Sequence, residues 1–217
     1  MKIKIGLRGL RVAKLKQDLS ATLAEDGKAA VDYEAVQVLP NVQNVNLTAR
    51  KQSVEVDSDD QTDTLMQTSG YDGTIQRTMF TPEEQAMLLG EKTLENGTVV
   101  SSSDDEAPEF AVGFMCQLNT GGFYTCWILR AKFSSGDITA ESAGDNKLNP
   151  QSDVISVKSS YRAADHAWRF YKIVETETEA AAFLTVDTIK QLATAAESAD
   201  SGDGDETTDG DGTGDGE

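Results

Sequence analysis

Residues 110–133 read FAVGFMCQLNTGGFYTCWILRAKF, two long apolar runs parted by Asn119-Thr120-Gly121-Gly122. A short linker with two glycines between alternating segments predicts a β-hairpin. At a period of two, Phe110, Val112, Phe114, Cys116 and Leu118 share one face of the first strand. Phe123, Trp127, Leu129 and Phe133 share one face of the second. Residues 153–162 (DVISVKSSYR) and 166–174 (HAWRFYKIV) alternate similarly around Ala163-Ala164-Asp165 and predict another strand pair. Ten of the fourteen aromatic residues lie within 110–133 and 161–171, so these segments are the expected core.

Outward from this hairpin the chain still reads as strands. Residues 35–56 (AVQVLPNVQNVNLTARKQSVEV) alternate over a long span and end in the polar DSDDQTD. In TLENGTVV, residues 93–100, Asn96-Gly97 is the pair most suited to a two-residue type I′ turn. A short helix interrupts the pattern within residues 68–90, TSGYDGTIQRTMFTPEEQAMLLG. Thr81 and Glu84 form a capping box, and Pro82 takes the first helical position, where a missing N–H costs nothing. Gly90 ends the helix in a left-handed conformation. So short a helix is unstable alone in water and must lie against a sheet, with Met87, Leu88 and Met79 or Phe80 as its apolar patch.

The fold class expected is mainly β, two packed antiparallel sheets with one short flanking helix, over residues 1–175. Residues 176–197 form an extension. Its ETETEAAAFLT (175–185) is open between helix and linker, and VDTIKQLATAAES (186–198) places Ile189, Leu192, Ala193 and Ala196 at helical spacing behind Asp187 as cap. Residues 198–217 carry eight acids, no base and many glycines, and read as a disordered acidic tail. An EF-hand loop counted from Asp205 would need Glu at its twelfth place, where Gly216 stands.

With 37 acidic and 19 basic side chains the formal net charge is −18. Tight nucleic-acid binding is disfavoured, because it needs Lys and Arg to displace counterions from phosphates. The N-terminal MKIKIGLRGLRVAKLKQ lacks the continuous apolar run of a secretory signal, and no stretch approaches a membrane span. Cys116 and Cys126 flank the hairpin turn and are expected to face each other across two strands as reduced thiols. His166 is the single histidine, which disfavours metal centres and acid–base dyads. Asp59-Asp60 and Asp104-Asp105 sit in hydrophilic loops, away from the aromatic subsites a glycosidase needs. No catalytic, cofactor-binding or metal-binding residue is expected.

The order of motifs carries a resemblance. The chain runs from GLRGLRVAKL (6–15) through VQVLPNVQNVNLTARKQSVEVDSDD (36–60) to SGYDGTIQ (69–76) and TPEEQAMLLG (81–90). The 110–133 hairpin and KLNPQSDVISVKSSYR (147–162) follow. Over roughly residues 5–175 this resembles the phi13-type major tail protein family of long-tailed bacteriophages. The resemblance implies a non-enzymatic tail tube protein, assembled as hexameric rings that stack into the conduit for genome DNA. It also implies a place in the virion tail, assembly in the host cytoplasm, and tape measure, tail terminator and distal tail proteins as partners, with no cofactor and no membrane. On this analogy Val54, Val56, Asp57, Asp59 and Asp60 belong to an extended hairpin or loop contacting the next subunit or ring. An acidic lumen would repel DNA and let it slide.

Charge order suggests a further element. Lys2, Lys4, Arg8, Arg11, Lys14 and Lys16 precede the first acid, Asp18, and are candidate ring-stacking charges opposite the acidic C-terminus. Two other readings compete: a contractile-injection or secretion tube protein, and a β-sandwich recognition module that binds glycan or a host cell surface.

Overall fold

The computed structural model describes residues 1–19, 30–58, 61–136, 138 and 151–192, without the side chains of 54–58 and 61–63. Fifteen residues of the alternating N-terminal stretch form β1 (Lys4–Asp18), followed by the short β2 (Val31–Tyr33) and β3 (Gln37–Leu39). The long alternating run becomes β4 (Val42–Ser58), and β5 (Gln61–Arg77) returns against it. Then come α1 (Pro82–Leu89), β6 (Lys92–Thr93), β7 (Val99–Val100), and the central pair β8 (Glu109–Leu118) and β9 (Phe123–Ser135). β10 (Asp153–Ser160), β11 (Arg169–Val174), α2 (Glu177–Phe183) and α3 (Val186–Lys190) complete the chain.

The class is mainly β with antiparallel pairing throughout the described residues, as expected. The two sheets are unequal. One has nine strands in the order β2-β1-β8-β9-β10-β5-β4, with β11 also on β9 and β3 also on β1, while β6 and β7 form a two-stranded ladder. The large sheet curls on itself. Leu10, Val12 and Leu39 from one end share a buried cluster with Ile75, Val45 and Leu47 from the other. Phe110, Val112, Cys126, Ile128 and Phe133 fill its middle, and Phe80 and Leu88 bring α1 onto it. A second cluster lies on the opposite face of β8 and β9, where Ala111, Met115, Trp127 and Leu129 meet Val31, Tyr33, Ala180, Leu184 and Ile189.

Burial on both faces explains why β8 and β9 read as near-continuous apolar runs. It also corrects the single-face reading of β9. Phe110 pairs with Ala131 but Val112 pairs with Ile128, so β9 carries one extra residue at a bulge. The bulge flips the alternation: Phe123, Trp127 and Leu129 point to the second cluster, whereas Phe133 points to the first. Gly113 is required by the close approach of Trp127, since a Cβ there would lie 2.7 Å from the indole.

Other expectations are corrected by register. The segments 153–162 and 166–174 do not pair with each other. β9 is long enough to carry both on one edge, β10 along residues 130–135 and β11 along 123–128. Cys116 lies opposite Tyr124 and Cys126 opposite Phe114, so the thiols are diagonal neighbours, both free. The Asn96-Gly97 turn is not type I′, because Gly97 alone has positive φ there. Gly97 N–H donates to Leu94 O and Leu94 N–H to Thr98 O, the pattern of a type I turn closed by a left-handed glycine.

The C-terminal extension is part of the packed body. α2 settles the open choice between helix and linker, with its own capping box from Thr176 and Glu179. α3 follows Thr185 instead of Asp187 and stops at Lys190, where Gln191 is already extended. Ala180, Leu184 and Ile189 are completely buried, so the second cluster would lie open without residues 176–190. Ala193, Ala196 and the acidic tail lie outside the described residues.

Candidate assembly surface

Among the described residues the lower half of the large sheet is a four-stranded unit with two open edges. Residues Lys4–Arg8 of β1 pair with the end of β8, β8 with the start of β9, and that part of β9 with β11. β2 and β3 join β1 further along, at Leu10–Asp18. Among the described residues no strand pairs with the outer edge of Lys4–Arg8 or of β11. Each edge presents unpaired N–H and C=O groups, the arrangement that templates pairing with another chain. Apolar side chains accompany both edges: Ile5 is 61 % exposed, Tyr171 58 % and Ile173 48 %. The polarity alternates across the unit, so β1 of a second copy laid beside β11 would continue it as an antiparallel pair.

A second feature projects from the sheet. β10 pairs with β5 only from Asp72 to Arg77, whereas β4 and β5 continue together as far as Ser58 and Gln61. Ten residues of β4 (49–58) and eleven of β5 (61–71) therefore extend about 33 Å beyond a third strand. Two-stranded ribbons are marginal in water on their own. Leu65 and Met66 on this ribbon are 64 % and 73 % exposed. Val54, Val56 and Asp57 lie on its backbone, but their side chains are outside the description, as are Asp59 and Asp60 entirely.

The helix-cap residues are where the sequence places them. Thr81 Oγ1 accepts from Glu84 N–H at 3.3 Å, Glu84 Oε2 accepts from Thr81 N–H at 2.8 Å, Pro82 opens the helix and Gly90 closes it at φ 77°. Phe80, not Met79, is the buried residue before the cap, held by Asp153 Oδ2 accepting from its N–H at 2.8 Å. Sequence reasoning missed that Glu84 has a second task. Its carboxylate accepts from buried Arg77 Nη1 at 2.6 Å, while Arg77 Nε donates to Pro40 O. The residues are seven apart on different elements, a spacing without a local signature.

Thr81→Ala removes one cap bond and should cost about 1 kcal/mol in urea unfolding. Glu84→Ala also strands a buried guanidinium and should cost about 3–5 kcal/mol. Burial raises the Glu84 pKa, but the Arg77 hydrogen bond and the Thr81 N–H outweigh it and hold the carboxyl below its usual range. Its stabilisation is therefore complete above an unfolded value of about 4.3 and is lost as pH falls through the lower folded value. A Glu84→Gln variant should show a shallower loss of stability over that acid range, checked by urea titrations at several pH values.

The N-terminal charges divide. Lys2, Lys14 and Lys16 are exposed. Lys4 sits 3.5 Å above the Tyr124 ring, and Arg8 reaches Glu177 at 3.8 Å. Arg11 is withdrawn from the surface set: its Nη1 donates to Leu184 O at 2.6 Å and Ala181 O at 3.2 Å, satisfying the C-terminus of α2. Burial accordingly lowers its pKa.

A cleft of about 300 Å³ lies where the four-stranded unit opens against β4, between Lys4, Tyr71, Phe114, Tyr124 and Arg169. Both cysteines border it, yet burial pushes the Cys126 thiol to about 11 and raises Cys116, which keeps thiolate scarce at neutral pH. His166 is exposed at φ 56°, beside Tyr161, in the turn closed by its N–H to Arg162 O. Among the described residues no group of three His, Cys, Asp or Glu converges to hold a metal, and no helix is long and apolar enough to cross a membrane. A scan against protein-family models and a search of curated proteins found no match to the chain.

Proposed function

We propose that this protein is a structural protomer of a bacteriophage tail tube, assembling edge to edge into stacked hexameric rings that guide DNA. The observation that supports it most is the four-stranded unit with open, apolar-flanked edges on opposite sides. The two edges are different surfaces, so joining β11 of one copy to β1 of the next is a head-to-tail contact that generates a ring if the rotation closes. Closure would remove both edges at once. The β4–β5 ribbon, too slender to stand alone, gains a role as an arm to the adjacent subunit or ring. A net charge of −18 suits a conduit that repels DNA. Sedimentation velocity of the full-length protein over rising concentration tests this reading. Ring-sized species in fast or slow exchange with monomer support it, and a single monomer peak at the highest concentration opposes it.

A further inference from the structure

The outer face of β9 and β10 carries a concentration of cations unusual for so acidic a chain. Arg50, Arg130, Lys132 and Lys158 line one depression of about 190 Å³, with Glu109 as its single acid. Arg130 takes both oxygens of Glu109, at 2.8 and 2.9 Å, and also reaches Asp18 at 3.2 Å. Lys132 Nζ lies 3.9 Å from Glu109 Oε1, the oxygen that Arg130 Nη2 also holds. Arg50 donates to Ser159 O and lies 3.5 Å from Asp72. Lys158 has no ion pair among the described residues, although it pairs across the sheet with Lys132 on one side and Asp72 on the other. Like charges directly opposed on neighbouring strands are destabilising unless an anion intervenes.

From this arrangement we infer that the acidic C-terminal segment of the same chain, residues 198–217, docks on the Arg50–Arg130–Lys132–Lys158 depression. Charge is the first argument, since the segment holds eight carboxylates and no base. Position is the second. Gln191, next to the last described residue, accepts through its carbonyl from Arg162 Nη2 at 3.0 Å. The neighbouring Ala163 N–H donates to Asp18 at 2.8 Å, and Asp18 in turn meets Arg130 at the rim of the depression. Three contacts thus separate the chain's exit from its target. Seven residues, 193–199 (ATAAESA), separate Leu192 from Asp200, and a step of eight residues spans at most about 28 Å, so the acids from Asp200 onward are within reach. Tethering raises the effective concentration to the millimolar range, enough for contacts that are individually weak. The inference does not depend on ring assembly.

The test is zero-length carbodiimide cross-linking of the dilute full-length protein, with peptide mapping of the monomer band. The expected result is cross-links joining Lys132 or Lys158 to carboxylates between Asp200 and Glu217. Their yield should fall about fivefold when NaCl rises from about 20 to about 500 mM, because exposed charges are screened. Arg50→Gln, which leaves both reacting amines in place, should lower the yield about threefold at low salt with an unchanged circular dichroism spectrum. Should that variant unfold, the salt dependence of the native protein decides. Links spread evenly to Lys2, Lys14 and Lys92, links confined to dimers, or no tail links at all would overturn the inference.

Discussion

Replacing Arg162 with methionine lowers the unfolding free energy by about 3–5 kcal/mol, a loss as large as that expected of Glu84→Ala. The guanidinium is fully buried. It pairs with Asp165, whose side chain is also completely covered, and donates to Ile189 O at 2.5 Å and Gln191 O at 3.0 Å. The Phe170 ring lies 5.1 Å from it. Removing the arginine takes the cation away from a buried carboxylate, which keeps the Ala167 N–H at 3.1 Å, and from two carbonyl groups, and breaking one side of a buried pair costs far more than the pair contributes. The same change would free the end of α3 from the 161–168 turn and loosen the second core cluster through Ile189. Urea midpoints measure the effect. The double variant Arg162→Met/Asp165→Leu should recover part of the loss, because it removes both charges. By contrast Arg8→Ala, which breaks only an exposed contact to Glu177, should change stability by less than about 0.5 kcal/mol.

Ile173→Lys, and separately Ile5→Lys, should weaken self-association at least tenfold while leaving the fold intact. Both side chains are about half exposed or more in the protomer, so substitution there costs little stability. An added charge beside an edge strand is a recognised way to block pairing with another chain. In a head-to-tail ring each copy uses both edges, so either substitution alone damages every interface. Equal sedimentation profiles for the variants and the parent protein, with unchanged urea midpoints, would show that these edges carry no assembly contact.

Much of the architecture was legible because it is local. The Asn119–Gly122 turn, the Thr81/Glu84 capping box and the alternation of residues 35–56 each announce themselves within a few positions. Non-local effects were not legible. The bulge that turns Phe133 away from Trp127 depends on how β9 matches β8, and nothing in the FYTCWILRAKF run marks it. Nor does the alternation of 153–162 and 166–174 reveal that both lie end to end on one edge of β9. The Arg77–Glu84 and Arg162–Asp165 pairs show why charged residues in strands and turns are hard to read. Their burial is decided by elements far away in sequence. The open edges were invisible for a related reason, since an edge is defined by the strand that fails to arrive.

Electron microscopy of the concentrated full-length protein bears most directly on the central claim. Closed rings, alone or stacked, are expected, in which Arg169–Val174 of each copy runs antiparallel beside Lys4–Arg8 of the next. A protein that stays monomeric at the highest attainable concentration, or rings whose contacts leave both of these edges exposed, would contradict it.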